Sequence, residues 1–225
     1  MRPPPLDFLF PQGIGTDLIY SFVIILCSLM VYHATKEMYE LSSYKGLKYF
    51  RQAFLFFAAA YFFRYFIQFF LVFFNIQDIL EFSPRYIGWI SLFLFLFSSS
   101  MAVFYLLYSV MWKKWNHSKS RILLFNLLAL IIAWIGSSFR GIGVSLVLNL
   151  ILLVFVSFVL FIAYKDKRKG KSLFIIYLLL FIFWALNVID ILIPKFLQWY
   201  NLLIYLSSIG LFMIILYKVL KKAGN

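Results

Sequence analysis

Charge is scarce in this sequence. Only 13% of its 225 residues are Asp, Glu, Lys or Arg, about half the share of a soluble globular domain. Acids are scarcer still, at 8 Asp and Glu against 21 Lys and Arg. The single cysteine, Cys27, allows no intramolecular disulfide and no CxxC pair, and reads as a small packing residue. The two histidines, His33 and His117, are too far apart for zinc spacing. No Gly-rich phosphate loop, GxSxG or HExxH occurs. These absences point away from an enzyme, and no cofactor is expected.

What is abundant is apolar. Hydrophobic residues make up 64% and aromatics 22%, with 29 Phe, and mean hydropathy is +0.95. That much apolar surface cannot be buried in one globule of this length with so few polar residues to cover it. The fold class is therefore an all-α integral membrane protein. Pro3, Pro4 and Pro5 stop a helix at the N-terminus. The start lacks the basic region, short apolar core and small-residue site of a cleavable signal peptide, so the first apolar stretch is read as a permanent span.

A bilayer core needs about 20 apolar residues per helix. Seven such stretches recur, at 16–35, 52–74, 86–112, 122–138, 143–164, 172–193 and 199–220. Arg140, set among glycines between the fourth and fifth, suggests a tight turn. The expected organisation is a short external segment (1–15), a seven-transmembrane helix bundle (16–220) and a cytoplasmic tail (221–225).

Basic residues orient the bundle. Lys36, Lys45, Lys48 and Arg51 follow span 1, and Lys113, Lys114, Lys119 and Arg121 follow span 3. Lys165, Lys167, Arg168, Lys169 and Lys171 follow span 5, and Lys218, Lys221 and Lys222 end span 7. The opposite side holds Arg2, Arg85, Arg140 and Lys195, a bias of about four to one. The N-terminus is then outside and the C-terminus cytoplasmic. Trp89, Trp199 and Tyr200 fit the outer aromatic belt, and Trp112 and Trp115 the inner one. In the inner segment 36–51, Lys36 and Glu40 can pair if span 1 continues as a helix, with Gly46 as a break. The basic runs are topogenic charge facing anionic lipid, and no segment is long enough to build a nucleic-acid surface.

Polar groups at membrane depth are costly and face the bundle interior. Tyr61, Arg64 and Gln68 share one face of span 2; Trp184, Asn187 and Asp190 share one face of span 6. Ser98 on span 3 and Tyr205 on span 7 complete the candidate ligand-binding set. Tyr20, Ser28, Asn126 and Asn149 form weaker stripes, read as interhelical hydrogen bonding. From the 1.5 Å rise, Arg64 is expected ~6 Å deeper than Gln68, and Asp190 ~5 Å nearer the outside than Asn187. A direct Arg64–Asp190 pair would then span ~10 Å of depth, and Arg64 with Asn187 is the easier pairing. No carboxylate pair for proton relay or metal sits at depth, and span 7 has no central lysine for a Schiff base.

The stretch Tyr44-Lys45-Gly46-Leu47-Lys48-Tyr49-Phe50-Arg51, with Ala53 to Ala58 and Tyr61-Phe62-Phe63-Arg64, resembles small uncharacterised seven-span proteins of archaea. That resemblance implies the plasma membrane of a prokaryote. The topology also looks like the seven-span sensor regions that precede some histidine kinases, and like sugar-efflux transporters of the SWEET and PQ-loop type, in which spans 1–3 would correspond to 5–7. The Pro11-Gln12 dipeptide precedes span 1 and is not that family's motif. The leading expectation is a sensor-like or receptor-like protein with a polar pocket between spans 2, 3, 6 and 7. It would bind a small ligand and signal to a protein partner through its basic inner loops. A small-solute transporter of three-one-three arrangement and a structural subunit are the alternatives.

Overall fold

A computed structural model describes residues 14–66, 84–115, 118–139, 142–165, 170–193 and 198–223. They form seven helices: α1 (Ile14–Ser42), α2 (Lys45–Tyr61), α3 (Pro84–Met111), α4 (Ser118–Ser138), α5 (Ile142–Lys165), α6 (Gly170–Leu192) and α7 (Gln198–Ala223). A π-helical turn, Phe62–Phe66, continues α2. No strand occurs among the described residues. Six helices, all but α2, are long and apolar enough to cross a membrane. The α-helical part of α2 has 17 residues and opens with Lys45, Lys48 and Arg51.

Five helices lie within a few residues of the expected spans. The segment between the first two does not, because 36–51 is no loop. α1 runs on to Ser42 and α2 starts at Lys45. Lys36 and Glu40 make the expected pair, Nζ to Oε1 at 3.9 Å. The Arg51 guanidinium lies 5.1 Å from the Tyr32 ring and 5.7 Å from that of Tyr39, a cation–π clasp between the two helix ends. The break falls at Ser43, in the left-handed region at φ 51°, with its N–H donating to the Tyr39 carbonyl at 2.8 Å. Gly46 is helical instead. A Cβ there would lie 2.8 Å from Trp112 Nε1 and 3.0 Å from the Ser109 carbonyl oxygen, so glycine lets α2 approach α3. The expected turn at Arg140 lies outside the described residues, as do segment 1–13, His117, Pro194 and residues 224–225.

Contacts fix the helix directions. Tyr20 meets Tyr61 while Tyr32 meets Arg51, so α1 and α2 are antiparallel. Tyr49 with Tyr108 and Phe56 with Phe97 make α2 and α3 antiparallel. Phe104 with Phe125 and Trp89 with Trp134 do so for α3 and α4. Tyr164 with Phe174 and Trp184 with Asn149 do so for α5 and α6. By contrast, Phe50 with Tyr177 and Tyr61 with Asn187 run in step, so α2 and α6 are parallel. Tyr20 with Tyr205 and Cys27 with Met213 make α1 and α7 parallel. Thus α1, α3, α5 and α7 point one way and the others return. The end carrying the first residues of α1 is called upper below.

Neighbours in sequence pack together, α1 packs against α7 to close a ring, and α3 also packs on α5. Among α1–α3 and α5–α7 the pairings correspond: α1·α2 and α2·α3 become α5·α6 and α6·α7, and α1·α7 becomes α5·α3, while α4 stands outside this exchange and packs mainly on α3. The outer surface is apolar. Leu123, Leu127, Ile131 and Trp134 are exposed along α4, and Val147, Val154, Phe158 and Phe161 along α5. Such a surface suits lipid and not water.

Candidate functional site

The centre of the bundle is a plug of phenylalanine. Phe54 and Phe57 lie one turn apart on α2 and meet Phe183 of α6 and Phe212 of α7; all four are at most 2% exposed. Phe212 sits with ring centroids 4.7 Å from Phe183, 6.1 Å from Phe57 and 6.3 Å from Phe54, edge to face each time. That is the favourable sense of the ring quadrupoles.

One turn above the plug lies a polar layer. The Tyr61 hydroxyl donates to Asn187 Oδ1 at 3.3 Å, and Asn187 Nδ2 donates to the Phe183 carbonyl at 2.9 Å. Tyr20 and Tyr61 hydroxyls are 3.1 Å apart. With the Tyr61 proton directed to Asn187, Tyr20 is the donor in that contact, and the chain Tyr20, Tyr61, Asn187, Phe183 carbonyl has one direction. Tyr205 stacks on Tyr20 at 4.4 Å and 7°. The layer joins α1, α2, α6 and α7. Of the candidate set, Tyr61, Asn187 and Tyr205 thus lie in one layer, together with Tyr20 of the first helix. Tyr20 was legible only as one tyrosine of a weak stripe, and its part comes from the α1–α7 closure.

Above this layer the helix geometry changes. In the π turn Phe62–Phe66, backbone hydrogen bonds are redistributed, and π turns are frequent at functional positions. Ser91 of α3 donates its hydroxyl to the Phe63 carbonyl. Arg64, within the turn, is partly buried, its guanidinium carbon 5.0 Å from the Phe95 ring centre. Asp190 lies within electrostatic reach of both Arg64 and Asp17. The expected depth difference between Arg64 and Asp190 is corrected here. Tyr61 is level with Asn187 on a parallel helix, so Arg64 and Asp190, each three residues further, are level too. The reason is the early start of α2, which raises Arg64 relative to α6.

Trp184 is buried between α2 and α5, with its ring 6.1 Å from that of Phe57 and its indole N–H donating to the Asn149 carbonyl at 3.4 Å. It braces the layer from beside the plug. Ser98 is buried on α3 next to Phe97, which meets Phe56; five residues along α2, about 7 Å, separate that level from Tyr61. Gln68 lies outside the described residues. Below the plug, Ser109 donates to the Leu106 carbonyl at 2.6 Å and accepts from Tyr177 at 2.9 Å, a second and smaller polar contact between α3 and α6. Cys27 is buried, with its Sγ 3.6 Å from Met213 Sδ. Among the described residues no group of three His, Cys, Asp or Glu is placed to hold a metal.

No family profile matches the sequence, and no solved structure matches it. It is 33% identical over 232 residues to an uncharacterized protein of Archaeoglobus fulgidus, covering 97% of this chain and 95% of that one.

Proposed function

The chain belongs to the same family as that archaeal protein, and from this premise and its own six helices apolar enough to cross a membrane we propose that it is a seven-helix sensor of the cell membrane. In this reading the N-terminus is outside and the C-terminus cytoplasmic, as the basic residues suggest. A small ligand acts on the upper polar site formed by Tyr20, Tyr61, Arg64, Asn187, Asp190 and Tyr205. The change passes along α2 and α6 to the basic lower ends, where a partner protein receives it.

The observation that carries the reading is the stacking of a hydrogen-bonded polar layer directly on the phenylalanine plug. Parallel α2 and α6 cross both levels, so a shift at Tyr61 and Asn187 must repack Phe57 and Phe183. A packed core of this kind moves between discrete arrangements instead of deforming continuously. The plug also favours sensing over passage of a solute, because four interlocked rings occupy the axis.

A second reading has its own support. The equivalence of α1–α3 and α5–α7 in packing and direction is the arrangement of transporters built from parallel repeats. One experiment separates the two. Purified protein is screened against small solutes for thermal stabilisation, and then reconstituted in liposomes for flux of any solute that stabilises it. Stabilisation without flux is the expected result, lost in Arg64→Ala while the variant keeps its helical content. Flux without a partner would establish the transporter instead.

A further inference from the structure

We propose that the upper polar site takes a free α-amino acid, with its ammonium group held among α1, α6 and α7 and its carboxylate at α2. The proposal rests on the reading of that site as a ligand site and adds the chemistry of the ligand.

The hydrogen-bonded layer of Tyr20, Tyr61, Asn187 and Tyr205 has a second layer about one turn above it. Asp17 precedes Tyr20 by three residues on α1, and Asn201 precedes Tyr205 by four on α7. Arg64 and Asp190 follow Tyr61 and Asn187 by three on α2 and α6, which run the opposite way. Each upper residue therefore shares a helix face with the lower one. Asp190 lies within electrostatic reach of both Arg64 and Asp17. The stacking of Tyr20 on Tyr205 brings Asp17 and Asn201 to adjoining faces of α1 and α7. All four upper residues are half-buried. Asp17 and Asn201 are each the fourth residue of their helix, and Asp190 is two short of the end of its own. A ligand meets them at the mouth of the bundle, and the packed core beneath need not open.

The upper layer is dipolar. α2 brings one guanidinium, α1 and α6 bring two carboxylates, and α7 brings an amide whose Oδ1 is buried and has no hydrogen-bond partner. Neighbouring carboxylates repel, and a buried acceptor without a donor is costly. An ammonium group answers both, because its three N–H donors can be shared among Asp17, Asp190 and Asn201 Oδ1. Arg64 carries five donors in a fixed plane, more than Asp190 alone can use, and a carboxylate suits such an edge. A lone amine would meet the charge of the guanidinium, and a lone acid that of the two carboxylates. A compact zwitterion with both groups on one carbon matches the layer.

The test titrates the full chain in detergent with each standard amino acid in turn, read by melting midpoint and by calorimetry. At least one should bind. Its decarboxylated amine, its deaminated acid and its N-trimethyl derivative should each bind at least about tenfold more weakly, the weight of one hydrogen bond to a charged group. Asp17→Asn and Asn201→Leu should weaken binding by a similar factor yet melt no lower than wild type without ligand. The first relieves a like-charge approach, and the second removes a buried acceptor that has no partner. Ser157→Ala on α5, where the hydroxyl donates to the Leu153 carbonyl of the same helix, should leave binding unchanged. Failure of every amino acid, or equal binding of the amine or the acid, would overturn the proposal. If another solute then stabilises the protein in a manner that depends on Arg64, the ligand class falls and the site stands. Amino-acid binding untouched in Arg64→Ala would remove the site itself.

Discussion

Arg64 and Asp190 stand at the same height on two parallel helices, one turn above the hydrogen bond between Tyr61 and Asn187, and each feels the other's charge. Both separations are 126 residues, so the two pairs form successive rungs between α2 and α6. Partly buried opposite charges interact more strongly than they would in water. The expected outcome is non-additivity. Arg64→Gln and Asp190→Asn, measured singly and together by unfolding in mixed micelles, should show a coupling of about 0.5–3 kcal/mol. Strict additivity would mean the rung carries no energy.

Tyr61→Phe removes one hydroxyl from two hydrogen bonds, to Tyr20 and to Asn187. Interhelical hydrogen bonds in membranes average ~0.6 kcal/mol. The variant should lose about 1 kcal/mol in the same unfolding assay, and Tyr20→Phe should cost less in the Tyr61→Phe background than in the wild type. Equal losses in the two backgrounds would break the proposed chain of donors.

Phe212→Ala empties the middle of the plug, where three rings lean on it. A buried Phe→Ala change costs about 3–5 kcal/mol. Phe158→Ala, on the exposed face of α5, should cost far less, since lipid chains fill the space it leaves. Comparing the two melting midpoints in detergent checks the interior assignment of Phe212.

Gly46→Ala places a methyl group against Trp112 and the Ser109 carbonyl. Overpacking of this kind costs about 1–3 kcal/mol. Gly88→Ala meets nothing within 4 Å and should be neutral or slightly stabilising. Opposite effects in the two variants would locate the close approach of α2 and α3 at Gly46.

The direction of the chain is open to a direct check. A C-terminal reporter that fluoresces only in the cytoplasm should light up in cells, and one that requires export should not. The reverse pattern would invert every assignment of upper and lower to outside and inside.

Helices α3 to α7 were legible in the sequence because long apolar runs separated by cations leave few alternatives once backbone hydrogen bonds must close within each helix. The α1–α2 junction was legible only in part: Lys36 and Glu40 read as an i,i+4 pair on a continued helix, as they are, but 45–51 read as loop polarity. Arg51 instead makes a cation–π clasp near the start of α2. Missing that early start of α2 displaced Arg64 in depth and hid its level with Asp190. The face-sharing of Tyr61 with Arg64 and of Trp184 with Asn187 follows from helical spacing alone. Which helix faces which does not, so Tyr20 could be weighed only as one polar residue among many.

The seating of α1 beside α7 has a consequence for biogenesis. α1 leaves the ribosome long before its lateral neighbour exists, and until α7 arrives Tyr20 has neither Tyr205 to stack on nor Met213 near Cys27. The bundle is therefore completed by its last helix, and a chain halted before that point would hold an open seam that quality-control proteases can recognise.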